Sequence, residues 1–147
     1  MTIAVDTDVL ARLLLEDHGV QHARARALIE REPIFTAPVT VMLELVWVLE
    51  VNGCSREEIA RGLHLLLSLP GFRPQHGTAL RQALAWYAQG LDFADALHLA
   101  LSCDDQRLAT IDQAFARRAA RIGASPPVVV EKSLSARQPK PRSAPRS

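Results

Sequence analysis

Short apolar runs of the kind found in β-strands alternate along this chain with longer segments of helical periodicity. The alternation is typical of a parallel sheet covered by helices. The strands that it predicts are Ile3 to Asp6, Ile34 to Ala37, Phe72 to Arg73, Arg107 to Ile111 and Val128 to Glu131. In an open sheet of this kind, active groups gather at the carboxyl ends of the strands.

The helices between these strands have recognisable ends. Ser55 and Glu58 have the spacing of a capping box, and Asp92 is placed to cap a helix that starts at Phe93. Pro38 suits the first turn of a helix. The predicted helices run from Thr7 to about Glu16, Val20 to Arg31, Pro38 to about Asn52, Ser55 to about Leu69, Thr78 to Gln89, Phe93 to about Cys103 and Gln113 to Arg121.

The composition indicates one folded domain followed by a short basic tail. With 147 residues, 48% of them hydrophobic, the chain is long enough to bury a core. We predict a domain over residues 1–132 and a disordered Pro/Ser/Arg-rich tail over 133–147. Five of the 17 basic and one of the 16 acidic residues lie from Glu131 onward, which leaves 12 and 15 in the body, a net charge of −3. That charge alone does not indicate nucleic-acid binding.

The sequence favours a cytoplasmic protein. No apolar stretch reaches the roughly 18 residues needed to cross a bilayer, and the N-terminal residues lack the pattern of a secretory signal. Cys54 and Cys103 share no metal-ligand spacing and are too few for a disulfide scaffold. Because the sequence has neither a membrane-spanning stretch nor a signal pattern, we expect no association with a membrane.

Four carboxylates interrupt or directly follow apolar sequence: Asp6, Glu44, Asp95 and Asp112. A buried carboxylate is costly unless a cation or several donors offset its charge. Asp6 ends one predicted strand, Asp112 follows another, and Asp95 lies in the first turn of its helix, so each could also serve only as a helix cap or dipole partner. A cluster made only of carboxylates favours Mg²⁺ or Mn²⁺ over Zn²⁺. We predict that the four acids form one metal site.

Glu44 is the acid that is hardest to explain without a metal ion. It lies about two turns into a predicted helix. Its neighbours three and four residues away are Thr40, Val41, Trp47 and Val48, so its side of the helix is mostly apolar. We therefore expect this carboxylate to be buried.

Each acid lies in a short motif: Val5-Asp6-Thr7-Asp8-Val9-Leu10, Val41-Met42-Leu43-Glu44-Leu45-Val46-Trp47-Val48-Leu49, Asp92-Phe93-Ala94-Asp95-Ala96-Leu97 and Thr110-Ile111-Asp112-Gln113-Ala114-Phe115. Together, and in this order, the motifs resemble those of PIN-domain ribonucleases. The closest resemblance is to the VapC toxins of bacterial toxin–antitoxin pairs. Asp8 departs from the pattern, because the family usually places Asn or Ser there.

The resemblance implies an α/β fold of the PIN type, a three-layer α/β/α sandwich with a central, mostly parallel sheet of about five short strands. It carries the catalytic, metal-binding role onto Asp6, Glu44, Asp95 and Asp112, with one or two Mg²⁺ (or Mn²⁺) ions as cofactor. The implied function is that of a metal-dependent endoribonuclease, the toxin of a type II toxin–antitoxin system, which hydrolyses RNA phosphodiester bonds with a metal-activated water.

The resemblance also implies partners: an RNA substrate, a cognate antitoxin protein and a second copy in a homodimer. The apolar surfaces of the helices from Val20 to Arg31 and from Val39 to Val51 are either a groove for the antitoxin or part of the core.

Several residues beside the four acids keep two interpretations. Asp8 either adds a fifth acid to the metal site or points away, and Asp92 either binds the metal through water or only caps its helix. Thr7 and Thr110 either orient the carboxylates or form ordinary capping and turn bonds.

Basic residues near the third and fourth motifs also have two interpretations. Arg117, Arg118 and Arg121 follow Asp112 on one helix, where they either contact RNA phosphates or form a solvated face. His98 lies three residues after Asp95, and we expect a packed histidine there rather than a metal ligand.

Two other functions compete with the nuclease. Asp6-Thr7-Asp8-Val9 also matches the start of haloacid-dehalogenase-type phosphatases, with Asp6 as the nucleophile and Asp8 as the acid/base. That chemistry normally uses a lysine beside the phosphate, whereas the two lysines of this chain are Lys132, at the end of the predicted domain, and Lys140, in the tail. The other alternative is a non-catalytic PIN-like domain that binds RNA or a partner, although a pure binder has no need of four mutually repelling carboxylates.

Overall fold

Helices dominate the computed structural model, which describes residues 2–15 and 19–131. The predicted tail and the end of the first predicted helix at Glu16 lie outside the described residues. None of the helices in these two ranges is long and apolar enough to cross a membrane. The elements are β1 (Ile3–Ala4), α1 (Thr7–Leu15), α2 (Gly19–Arg31), β2 (Phe35–Thr36), α3 (Val39–Val51), α4 (Arg56–Leu67), α5 (Gly77–Ala88), α6 (Phe93–Leu101), β3 (Leu108–Thr110), α7 (Gln113–Arg121) and β4 (Val128–Val130).

The strands pair in parallel, as predicted, but they form two small sheets. β1 pairs with β2, with Ile3 opposite Phe35, and β3 pairs with β4, with Leu108 opposite Val128. Phe72 also forms an isolated parallel bridge with Phe35 of β2, which adds a single residue beside the first pair. Within residues 2–15 and 19–131 the two pairs share no ladder, so these residues do not form a single sheet of about five strands. The fold is therefore α/β, with the described strands in two separate parallel pairs.

The helix ends follow their local capping groups. The N–H of Glu58 donates to Oγ of Ser55 at 3.1 Å, and the N–H of Ser55 donates to Oε1 of Glu58 at 2.8 Å, which completes the predicted capping box of α4. Pro38 is the N-cap of α3, and Asp92 is the N-cap of α6. These ends were predictable because each capping contact spans only a few residues of sequence.

Helix α3 lies against much of the core. It packs on α1, α4 and α6, and its buried residues are Met42, Leu45, Val46 and Leu49. Their spacing of three and four residues places them on one face of the helix. The opposite face of this almost wholly apolar helix therefore looks outward.

Gly71 allows two backbone segments to approach closely beside the first sheet. A Cβ atom at this position would lie 1.6 Å from the carbonyl oxygen of Pro33. The carbonyl oxygen of Gly71 accepts a hydrogen bond from the N–H of Phe35 at 2.9 Å, and the Phe35 and Phe72 rings stack with their centroids 4.9 Å apart. Since β2 leads directly into α3, this approach helps to set the start of α3.

Gly71→Ala is expected to lower the free energy of unfolding by about 2–3 kcal/mol, because the backbone near Pro33 must move. The matched control is Gly62→Ala in α4, where a Cβ would meet the Leu14 side chain at an ordinary 3.7 Å. That change is expected to stabilise by about 0.5–1 kcal/mol through helix propensity. Urea unfolding followed by circular dichroism measures both, and equal effects of the two substitutions would contradict the steric argument.

Candidate active site

Thr7 joins the first two acids. Asp6 follows β1, and its Oδ1 accepts a hydrogen bond from the N–H of Val9 at 3.2 Å, which caps the start of α1. The side chain of Thr7 is buried, and its hydroxyl donates to Oε1 of Glu44. In this structure Thr7 therefore orients the α3 carboxylate beside the end of β1.

Glu44 is exposed, so the predicted burial of this carboxylate is wrong. The reason is that α3 is apolar on nearly every side. Glu44 falls on the outward face with Thr40 and Trp47, which are also exposed. Apolar neighbours in the sequence therefore did not distinguish the core face of this helix from its surface.

Among the four acids, desolvation bears chiefly on Asp95. Asp6, Glu44 and Asp112 are exposed, whereas Asp95 is half-buried. Partial burial raises the pKa of the Asp95 carboxyl above its ordinary value, and the charges of Asp92 and then Asp112 raise it further. The cost of collecting carboxylates therefore falls mainly on Asp95, first through its partial burial and then through repulsion by Asp92 and Asp112.

Asp92 and Asp112 are both helix caps and members of this acidic group. Oδ2 of Asp92 accepts the N–H of Asp95 at 3.1 Å, and Oδ1 of Asp112 accepts the N–H of Phe115 at 3.1 Å. The hydroxyl oxygen of Thr110 accepts the N–H of Asp112 at 3.0 Å. Thr110 therefore holds the backbone at Asp112 and does not hydrogen-bond to its carboxylate.

Asp8 forms an ion pair within its own helix. It is exposed, and its Oδ1 lies 3.5 Å from Nε of Arg12, one turn along α1. Both residues line a separate cavity of about 240 Å³ between α1 and α2. This contact is compatible with the interpretation in which Asp8 points away from the metal site, which stays a prediction.

Two basic residues affect Asp95: His98 on the same helix, α6, and Arg118 on α7. His98 and Arg118 both favour the ionised carboxylate and so lower the pKa of Asp95, against the larger effects that raise it. His98 is exposed, so its expected packing is wrong. Its position three residues after Asp95 was the signal for this proximity. Arg117 and Arg121 are exposed on α7, the same helix as Arg118.

A pocket connects the α3 acid with the start of α6. Its volume is about 420 Å³, and both Glu44 and Asp92 line it. Trp47 and Glu50 also line it, and their spacing of three and six residues from Glu44 is the signal that could have identified them. A larger cavity of about 700 Å³ lies between α4 and α5, and its lining includes none of the four acids.

Arg56 fixes the loop that delivers Asp92. Its Nη1 donates to the carbonyl oxygens of Tyr87 and Leu91, each at 2.8 Å. The guanidinium carbon also lies 4.4 Å from the centroid of the Tyr87 ring, a cation–π contact. The first residue of α4 thereby holds the turn between α5 and α6.

The donor chemistry of the acids fits a hard divalent cation. All four offer carboxylate oxygens, which Mg²⁺ and Mn²⁺ prefer, and a cation would offset the repulsion at Asp95. Over residues 2–15 and 19–131, however, no three His, Cys, Asp or Glu side chains lie close enough together to hold a metal ion. The acids therefore fit in donor type, but their side chains would have to turn toward one another around a cation.

Comparison with known proteins identifies one family. The family described as PIN domain matches residues 3–121, which include all four acids and end with α7. The searches of curated proteins and of solved structures give no significant match.

The raised pKa of Asp95 predicts a pH dependence of stability in metal-free buffer. The folded state holds this proton more tightly than the unfolded state, so stability falls as pH rises above the ordinary value of 3.8. Asp95→Asn removes the charge and should be more stable than the wild type above this pH. The two proteins should converge below it.

Thermal unfolding across pH in EDTA measures the difference, with Asp104→Asn as the control. Asp104 is an exposed acid in the turn after α6, and its replacement should not change the pH dependence. Parallel curves for the wild type and Asp95→Asn would contradict the raised pKa of Asp95.

Proposed function

This chain belongs to the PIN domain family, and we propose that it is a metal-dependent endoribonuclease. PIN domains are generally nucleases, and the matched residues include Asp6, Glu44, Asp95 and Asp112. The observation that carries the proposal is that Asp95, a half-buried carboxylate, lies near Asp92 and Asp112, so that burial and then their charges raise its pKa. A fold that keeps like charges together despite this cost is suited to bind a cation.

Asp6, Glu44, Asp95 and Asp112 would hold Mg²⁺ or Mn²⁺. When bound, the cation supplies a Lewis acid that neutralises the scissile phosphate and lowers the pKa of water. The chain itself positions the ligands: Thr7 orients Glu44, and backbone amides hold one oxygen each of Asp6 and Asp112. Asp92 is proposed as an outer acid that adds negative charge beside Asp95.

Arg118 is proposed to contact an RNA phosphate. It lies close enough to Asp95 to affect its pKa, so a phosphate bound near the acids would come within its reach. Arg117 and Arg121 are exposed on the same helix and would extend this basic surface along the strand.

We further propose that the nuclease is the toxin of a type II toxin–antitoxin system in the cytoplasm, as a homodimer held inactive by an antitoxin. The support is the resemblance of the four motifs to VapC toxins. A cavity of about 360 Å³ between α1, α2 and α4 offers a site for the antitoxin, because Leu13, Ile29 and Leu65 are among its apolar walls. Leu65 is exposed there.

The phosphatase is less well supported. Its mechanism requires Asp6 and Asp8 to act on one phosphate, but Asp8 lies beside Arg12 in a cavity that Asp6 does not line. The non-catalytic alternative does not explain why Asp92 and Asp112 lie near enough to Asp95 to raise its pKa.

Replacement of a proposed ligand is expected to lower RNA cleavage by more than about 100-fold, because even residues that only orient metal ligands cost 10- to 100-fold. The variants are Asp6→Asn, Glu44→Gln, Asp95→Asn and Asp112→Asn. Asn preserves the helix caps, so a loss would reflect the lost charge. Asp8→Asn is the matched control, with cleavage expected to remain near that of the wild type.

Cleavage of total RNA by the purified proteins in Mg²⁺ and in Mn²⁺ gives the first measurement. Sequencing of RNA ends after induction in cells, with Asp95→Asn alongside, identifies the cuts. Absence of cleavage by the wild type, or identical ends with both proteins, would refute the nuclease. Cleavage without growth arrest would retain the nuclease and refute the toxin.

Mg²⁺ is also expected to stabilise the wild type. At 100 times its dissociation constant the gain is about 2.7 kcal/mol, since the unfolded chain lacks the site. Asp95→Asn should lose most of this gain, and Asp104→Asn should keep it. Thermal unfolding in EDTA and in increasing Mg²⁺ measures the shift, and equal shifts in all three proteins would place the cation elsewhere.

A further inference from the structure

Trp47 is a large aromatic side chain on the surface next to a proposed metal ligand. It is 63% exposed, whereas the other tryptophan, Trp86, is 7% exposed. Trp47 lies three residues after Glu44 on α3, which places the two side chains on neighbouring positions of one helix face. Both line the 420 Å³ pocket between α3 and the start of α6.

The walls of this pocket combine apolar surface with hydrogen-bond acceptors. Leu43, Val46 and Phe93 are among the apolar residues, and Glu50 and Asp92 add carboxylates. None of the described residues that line it is a Lys, Arg or His. A phosphate would be repelled there, whereas a neutral ring that carries N–H groups would both stack and donate hydrogen bonds.

Glu50 is held where it can accept such a bond. Its Oε2 lies 3.5 Å from the hydroxyl of Tyr87, a buried residue. A carboxylate has two oxygens and about four acceptor positions, so this long contact leaves capacity for a ligand. Glu50 lies three residues after Trp47, one helical turn farther along the same pocket.

We propose that this pocket binds a nucleobase of the RNA adjacent to the scissile phosphate, stacked on Trp47. The base donates to Glu50 through an exocyclic amino group, which adenine, cytosine and guanine carry. Uracil offers only its ring N3–H, so we expect it to bind more weakly. The inference rests on the proposed nuclease, because Glu44 is shared between the pocket and the metal ligands. Trp47 and Glu50 would then determine which nucleotide stands beside the cut.

The test uses short RNA oligomers of A, C or U, and an abasic ribose–phosphate oligomer of the same length, in EDTA so that binding is measured without cleavage. Oligo(A) and oligo(C) should quench tryptophan fluorescence and bind more tightly than oligo(U), and the abasic oligomer should not quench. Trp47→Ala should weaken binding of oligo(A) about tenfold, the usual effect of one stacked base.

Trp47→Ala should leave binding of the abasic oligomer unchanged. The Trp47→Phe variant should bind oligo(A) nearly as well as the wild type. Glu50→Gln should reduce the preference of the pocket for A and C over U. Val51→Ala is the matched control, because Val51 is on α3 and 64% exposed but does not line the pocket.

The proposal is refuted if no oligomer that carries bases quenches tryptophan fluorescence. It is also refuted if Trp47→Ala weakens binding of the abasic oligomer as much as binding of oligo(A). It also falls if Trp47→Ala and Val51→Ala both convert a dimer to a monomer in size-exclusion chromatography, because a second copy would then cover Trp47. Base-dependent quenching without RNA cleavage would retain the pocket and refute the nuclease. Cleavage of RNA without base-dependent quenching would retain the nuclease and refute the pocket.

Discussion

The packing of α3 against α1, α4 and α6 is the contact on which the rest of the structure depends. Met42, Leu45 and Val46 are buried in it, and side chains of this size stabilise a fold by roughly 1.5–3 kcal/mol each when fully buried. Since this face is fixed in the core, the outward face holds Glu44 and Trp47 at constant positions relative to β1 and α6. A central helix thus serves as the rigid support for groups at the surface.

The elements that carry the acids are tied together by short contacts rather than by burial of the acids. Thr7 connects the end of β1 with α3, and Arg56 connects α4 with the loop that carries Asp92. Among these acids the pKa of Asp95 is raised, because partial burial and the charges of Asp92 and Asp112 outweigh the opposite effects of His98 and Arg118. The candidate site is therefore at the surface, and contacts between its elements hold the segments that carry the acids.

Features that depend on nearby residues were predictable from the sequence, and those that depend on distant ones were not. The Ser55–Glu58 box and the cap at Asp92 each involve contacts over three residues. Pairing between strands of two or three residues depends on distant partners, so the single central sheet was an extrapolation from alternation. The exposure of Glu44 was hidden because α3 is apolar on both its core and outer faces.

Three carboxylates, those of Asp6, Asp92 and Asp112, serve both as helix caps and as acids of the proposed metal site. The requirements of folding and of metal binding can therefore be distinguished at these positions. Each carboxylate satisfies a backbone amide at the start of a helix, a task that Asn, Ser or Thr performs as well. The folding of these helices therefore requires an oxygen acceptor, and only the proposed cation requires the charge. A descendant of this chain could lose its chemistry by single exchanges at these positions and still keep its architecture.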